Sequence, residues 1–101
     1  MPVDLEAIEV THNPTELRFE AWIDGYLSKL DYIQDGTNFV ITHVGVYPEL
    51  RGQGIAGKIT QVSLEYAKEH DLRVIPMCGY AAAYIRRHPE YAGLTRQRGD
   101  E

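Results

Sequence analysis

Apolar and polar side chains alternate through "TELRFEAWI", residues 15–23. Leu17, Phe19, Ala21 and Ile23 share one face and Arg18, Glu20 and Trp22 the other, which predicts a half-buried strand. Asp24-Gly25 is a two-residue hairpin signal, and "YLSKLDYI" (26–33) returns as the partner strand. "QDGT" makes the next turn, "NFVITHVGV" (38–46) the strand after it, and "LEAIEV" (5–10) a short first strand. Beyond residue 50 the period changes. Ile55, Ile59, Val62 and Tyr66 fall at helical spacing, with Lys58, Gln61, Glu65 and Lys68 on another face, so a helix is predicted from about Ile55 to near His70-Asp71. "LRVIPM" (72–77) reads as a short buried strand. "GYAAAYIRRH" (79–88) reads as a short helix, stopped because Pro89 disfavours helical angles at His88. The order predicts an α/β (α+β, mixed-sheet) fold. An antiparallel meander is followed by a right-handed strand–helix–strand crossover whose strands, 38–46 and 72–77, run parallel.

At 101 residues, with no internal repeat or linker, the chain is expected to form a single domain over 1–101. No apolar run is long enough to span a bilayer. The start, "MPVDLEAIEV", lacks a basic segment leading into a hydrophobic one, so neither membrane nor secretion is expected. The one cysteine, Cys78, cannot form an internal disulfide, which points to the cytoplasm. A net charge of −5 argues against a general nucleic-acid binder. It leaves room for an anionic small molecule held by a local cluster of donors. No metal is expected, and exposed Trp22 or a free sheet edge offers a route to a homodimer.

The densest chemistry lies at "RGQGIAGK", residues 51–58, where strand gives way to helix. Backbone N–H groups at a helix start have no intrahelical acceptors and carry the positive end of the dipole. Gly52 and Gly54 remove side chains that would keep an anion from them, and Arg51 adds a charged fork. A tight strand-to-helix turn explains the glycines equally well. Neither the dinucleotide fingerprint nor the P-loop is present.

The pattern that is present, R-x-x-G-x-A from Arg51 to Ala56, resembles the Q/R-x-x-G-x-G/A acyl-CoA pyrophosphate motif of the GNAT superfamily of N-acetyltransferases. The surrounding "ITHVGV" and "YPEL", "NPTELRFEAWIDG", "VIPMCGYAAAYIRRHPEY" (74–91) and the chain length resemble that superfamily's minimal, single-domain branch. The resemblance covers nearly the whole chain. It implies that the strands around 38–46 and 72–77 splay apart and that pantetheine lies between them. Val44, Gly45 and Val46 would offer it strand backbone, and Arg51, Gly52, Gln53, Gly54, Ile55 and Ala56 would hold the pyrophosphate. It also implies acetyl-CoA as co-substrate and an amine as acceptor, with a non-catalytic CoA- or acyl-CoA-binding module as the alternative.

Members of the minimal branch often carry Thr-Glu after the strand histidine, and Val44-Gly45 stands there in this chain. A carboxylate base on this strand is therefore absent. His43 is the substitute base, although strict alternation puts it on the face of Phe39, Ile41 and Gly45, where a histidine is first a structural residue. Cys78 precedes a helix start that favours a thiolate. The resemblance places it at the cleft, as a nucleophile or as a lining residue. Tyr80 and Tyr84, four apart on one helical face, are candidates to protonate the departing thiolate or to pack on the sheet. Arg86, Arg87 and His88 suit the negative end of their helix and are further candidates to hold CoA phosphates.

Overall fold

The computed structural model describes residues 4–96. The expected 1–101 span reaches beyond them at both ends. Five strands form one sheet in sequential order: β1 (Thr11–Asn13), β2 (Arg18–Ile23), β3 (Tyr26–Asp35), β4 (Asn38–Gly45) and β5 (Arg73–Pro76). The first three contacts are antiparallel and β4 pairs β5 in parallel, as the change of period across residues 46–55 predicts. Helix α1 (Ile55–Glu69) makes the crossover, and α2 (Gly79–Arg87) follows β5 and ends before Pro89. Asp24 and Gly25, both at positive φ, close the β2–β3 hairpin.

Two strand expectations change. "LEAIEV" is not a strand: Leu5–Ala7 is a single 3-10 turn capped by the Asp4 side chain on the Glu6 N–H, and the first strand begins at Thr11. A short acidic turn former at a helix start competes well with an unpaired strand. Leu17 does not extend the Phe19–Ala21 face; it is exposed at φ 56 and its carbonyl accepts from the Tyr32 N–H (3.0 Å).

The core lies on one face of the sheet. Phe19 and Ala21, Leu30 and Tyr32, and Phe39 and Ile41 are buried there with Ile55, Ile59, Leu64 and Ala67 of α1. The buried stripe of α1 is turned from the expected one: Ser63, Leu64 and Ala67 are buried while Val62 and Tyr66 lie at its margin. Burying Thr60 and Ser63 is tolerable because each hydroxyl donates to a helix carbonyl, Ala56 (2.7 Å) and Thr60 (2.8 Å) respectively. On the opposite face Trp22, 64% exposed, and Ile33 meet solvent, as alternation predicts for Trp22. Tyr91 ties the segment after α2 to α1 by donating to Glu65 (2.7 Å). Burial and this carboxylate push its phenol up to about 12.

An aromatic cluster closes the end of the sheet where β4 begins. His12 stacks on Phe19 (4.4 Å), shares a hydrogen bond with the Tyr32 hydroxyl and meets the edge of Tyr66 (4.7 Å), whose ring contacts His70 (4.3 Å). Burial, reinforced by His70, lowers the His12 pKa from its ordinary 6.5.

Leu30, fully buried on the central strand, should cost about 2–5 kcal/mol when replaced by Ala, read as a lower urea midpoint. The His12 shift has a defined sign. The unfolded chain takes up the proton at 6.5, before the folded protein does. Stability is therefore complete above that pH and declines as pH falls through 6.5 toward the lower folded value. Thermal midpoints followed by circular dichroism from pH 8 to 5 should show this fall, and His12→Leu should flatten it.

Candidate active site

Parallel pairing of β4 and β5 runs from Asn38 opposite Arg73 to Ile41 opposite Pro76, and stops. Pro76 has no N–H to donate. The Ile41 carbonyl instead accepts from Met77 (3.0 Å) and Cys78 (3.2 Å), which carry the chain out of the sheet into α2. Residues 42–45 of β4 thus have β3 on one side and no strand on the other. This is the splay that the resemblance implied. A cleft of about 730 Å³ opens along the free edge.

Val44, Gly45 and Val46 form one wall of the cleft, and the loop into α1 forms another. Gly54 caps α1 at φ 82, the left-handed region that side chains with a Cβ occupy at a cost of roughly 1–2 kcal/mol. Gly52 has the same φ, so the loop needs both glycines for its path. No side chain caps the helix. The first N–H with a helical acceptor is that of Lys58, bonded to the Gly54 carbonyl (3.0 Å). Those of Ile55, Ala56 and Gly57 precede it and have no acceptor within the helix; all three residues line the cleft. Arg51 lines it too and donates from Nε to the Val46 carbonyl (3.5 Å), whereas Gln53 is not among the lining residues.

His43 reaches the cleft through a β-bulge. Pairing proceeds from Asp35 opposite Asn38 to Tyr32 opposite Ile41, then skips Thr42, so that Asp31 faces His43, Leu30 faces Val44 and Lys29 faces Gly45. The extra residue reverses the alternation. Val44 now continues the core face of Phe39 and Ile41, while His43 and Gly45 turn to the other. The expectation that His43 shares the face of Phe39 and Ile41 is corrected: it is exposed and lines the cleft. Thr42 fastens the bulge by donating from Oγ1 to the Asp31 carbonyl (3.3 Å).

The two helix tyrosines part company. Tyr80 lines the cleft, and burial holds its phenol above the ordinary range against a smaller opposing effect of Arg87. It packs beside Gly57 of α1, where a Cβ would lie 3.5 Å from Tyr80 Oη and 3.6 Å from the Tyr84 ring, ordinary contact distances. Tyr84 is buried, stacks on His88 (3.9 Å) and lines a smaller cavity of about 410 Å³ with Lys58 and His88. Neither Arg86 nor Arg87 lines either space. Cys78 is half-buried against the core at the N-cap of α2 and is not among the residues lining the cleft.

Sequence reasoning did not name Leu27, Lys29, Tyr47, Pro48, Leu50 or Gly57 for the site, all of which line the cleft. The register across the β3–β4 hairpin could have found Lys29 only if the bulge had been known. Among the described residues no Asp or Glu lines the cleft, no group of three His, Cys, Asp or Glu side chains is placed to hold a metal ion, and no helix is long and apolar enough to cross a membrane.

A family model described as GCN5-related N-acetyl-transferase matches residues 18–94. That span contains β2 to α2 and every residue of the cleft. The fold is similar to an NMR structure of a GCN5-like "putative N-acetyltransferase" from Staphylococcus aureus. The TM-score is 0.70 at 26% identity, over 92% of this chain and 94% of that one. No curated protein sequence matches the chain. With the family's span laid over the splayed strands and the glycine loop, the chain belongs to the GCN5-related N-acetyltransferases and is itself an N-acetyltransferase.

Proposed function

We propose that the acetyl donor is acetyl-CoA and that the acetyl group passes directly to an amine held at the mouth of the cleft. The observation that carries this reading is the continuity of the free β4 edge with the N–H groups of Ile55, Ala56 and Gly57, which have no acceptor within the helix. An extended amide-bearing chain ending in a pyrophosphate suits both: strand backbone for the amides, a helix start for the phosphates. The residues present fit that group. Gly52 and Gly54 present no side chain to the cleft, and the lining cations are Lys29 and Arg51.

An amine must lose its charge before it can attack a thioester, and the leaving sulfur must gain a proton. His43 is the one imidazole among the described side chains lining the cleft, and imidazole is the side chain best suited to pass a proton at physiological pH; it serves as the base. Tyr80, kept protonated by burial, supplies the sulfur. The protons balance: the ammonium gives one to His43 and on to solvent, and a second reaches the CoA sulfur by way of Tyr80 Oη. A new C–N bond replaces the C–S bond. Cys78 needs no part in this route, and Tyr84 packs the helix. The same reading takes residues 1–101 as one domain and the lone cysteine as a mark of the cytoplasm.

Gly54→Val should weaken CoA binding more than tenfold by calorimetry, because its side chain would disturb the helix start. Part of the effect is structural, since a Cβ at 54 lies 2.9 Å from the Leu5 side chain and φ is 82; a thermal-shift control separates the two. Arg51→Ala should cost less and reduce the salt dependence. Full CoA affinity in a folded Gly54→Val protein would defeat the anion site.

Tyr80→Phe should lower kcat by at least about tenfold with little change in KM for acetyl-CoA, whereas Tyr84→Phe should leave kcat nearly unchanged. Cys78→Ser should retain turnover, and peptide mapping after incubation with acetyl-CoA should find Cys78 unmodified. A kinetically competent acetyl-Cys78 would replace direct transfer with a covalent route.

A further inference from the structure

Gly45 differs from the loop glycines. Gly52 and Gly54 sit at positive φ, but Gly45 does not, so its backbone has no need of glycine. What the missing side chain leaves is space, and that space is taken. A Cβ built at residue 45 would lie 2.9 Å from His43 Nε2 and 3.5 Å from its Cδ2, closer in the first case than real Cβ contacts allow. The imidazole lies over residue 45, two positions along the same face, where both residues line the cleft.

We propose that Gly45 is a positioning residue for the acetyl-transfer reaction: its bare Cα lets the His43 imidazole rest against β4 at the cleft, the place from which it takes the proton of the acceptor amine. This rests on the reading of His43 as base. The bulge at Thr42 turns His43 to the open side, and Gly45 then fixes where the ring lies once there. Any residue with a Cβ at 45 would rotate the ring away from the strand.

The charged and titratable groups around the ring leave this placement to shape. From β3, Asp31 stands directly opposite His43 but is engaged by Lys29 Nζ (3.3 Å), and Lys29 stands opposite Gly45. Tyr47, Arg51 and Tyr80 complete the titratable lining of the cleft. No hydrogen bond from another described side chain holds the imidazole, so the contact with bare backbone is what orders it.

The test is Gly45→Ala, with Gly45→Ser as an independent second variant carrying the same Cβ. Because the displaced atom is the end of a flexible side chain, the thermal midpoint should stay near wild type, and CoA affinity should hold since the backbone is retained. In isotope-labelled protein without ligand, the contact between the His43 ring protons and the residue 45 Hα, seen by NMR, should be lost and the ring signals should move. Transfer from acetyl-CoA to poly-L-lysine should slow about tenfold in kcat. The acidic limb of its pH profile should change shape, and combining Gly45→Ala with His43→Asn should add little to His43→Asn alone. Unmoved ring signals in Gly45→Ala overturn the proposal without any acceptor being needed. Wild-type kcat and pH profile in Gly45→Ala, with a large loss in His43→Asn, overturn the positioning and leave the base in place. A wild-type rate in His43→Asn removes the base itself, and Gly45's role with it.

Discussion

A parallel strand draws hydrogen bonds from its neighbour at regular intervals, and Pro76 cannot supply one. The Ile41 carbonyl, opposite Pro76, is met instead by two successive N–H groups, those of Met77 and Cys78. That fork ends β5 and points the chain into α2. It leaves the last four residues of β4 with a free edge inside the molecule, where such an edge must find another partner. The cleft follows from this arrangement. The start of α1 lies beside the free edge because the crossover leaves β4 at its end, so backbone donors of two kinds share one space. The aromatic cluster of His12, Phe19, Tyr32, Phe39 and Tyr66 packs the other end of β4, where the strand is paired on both sides.

The bulge at Thr42 separates the two ends functionally. Before it, Phe39 and Ile41 serve the core; after it, Val44 does so and His43 faces outward. Without the extra residue, a histidine would sit under α1 and a valine would line the outer side. One inserted residue thus moves a titratable group from a place where its charge would be expensive to one where it can exchange protons with solvent.

Much of the architecture was legible because it depends on local period. The alternation around Phe19 and Ala21, the Asp24-Gly25 turn, the helical spacing from Ile55 and the break before Pro89 each carry their own signal, and parallel pairing of 38–46 with 72–77 follows from the order. The glycine loop was legible through its resemblance to a known motif. What escaped is what depends on a single irregular residue. Carried forward unbroken, the register set by Asp35 and Asn38 puts Asp31 opposite Thr42, yet it stands opposite His43. "ITHVGV" gives no mark of where the strand bulges, so the face of His43 and the place of Lys29 were both hidden. Spacing put Tyr80 and Tyr84 on one helical face, but only the packing of α2 beside α1 shows that the first meets the cleft and the second a different cavity.

The proposed reaction brings substrates of opposite charge to a protein of net charge −5. At physiological salt, charges beyond about 8 Å are largely screened, so a phosphate in the loop responds to what lies within contact. There it meets Arg51 and helix N–H groups, and among the described residues no carboxylate lines the cleft. In the proposed reaction the acceptor reaches His43 on the side of the sheet that α1 does not cover. Once its proton is on the imidazole, the amine is neutral, and nothing in the cleft holds it by charge. The net charge and the cleft are therefore compatible: the anionic donor is met by short-range donors, and no described carboxylate is placed to hold the ammonium back from the thioester.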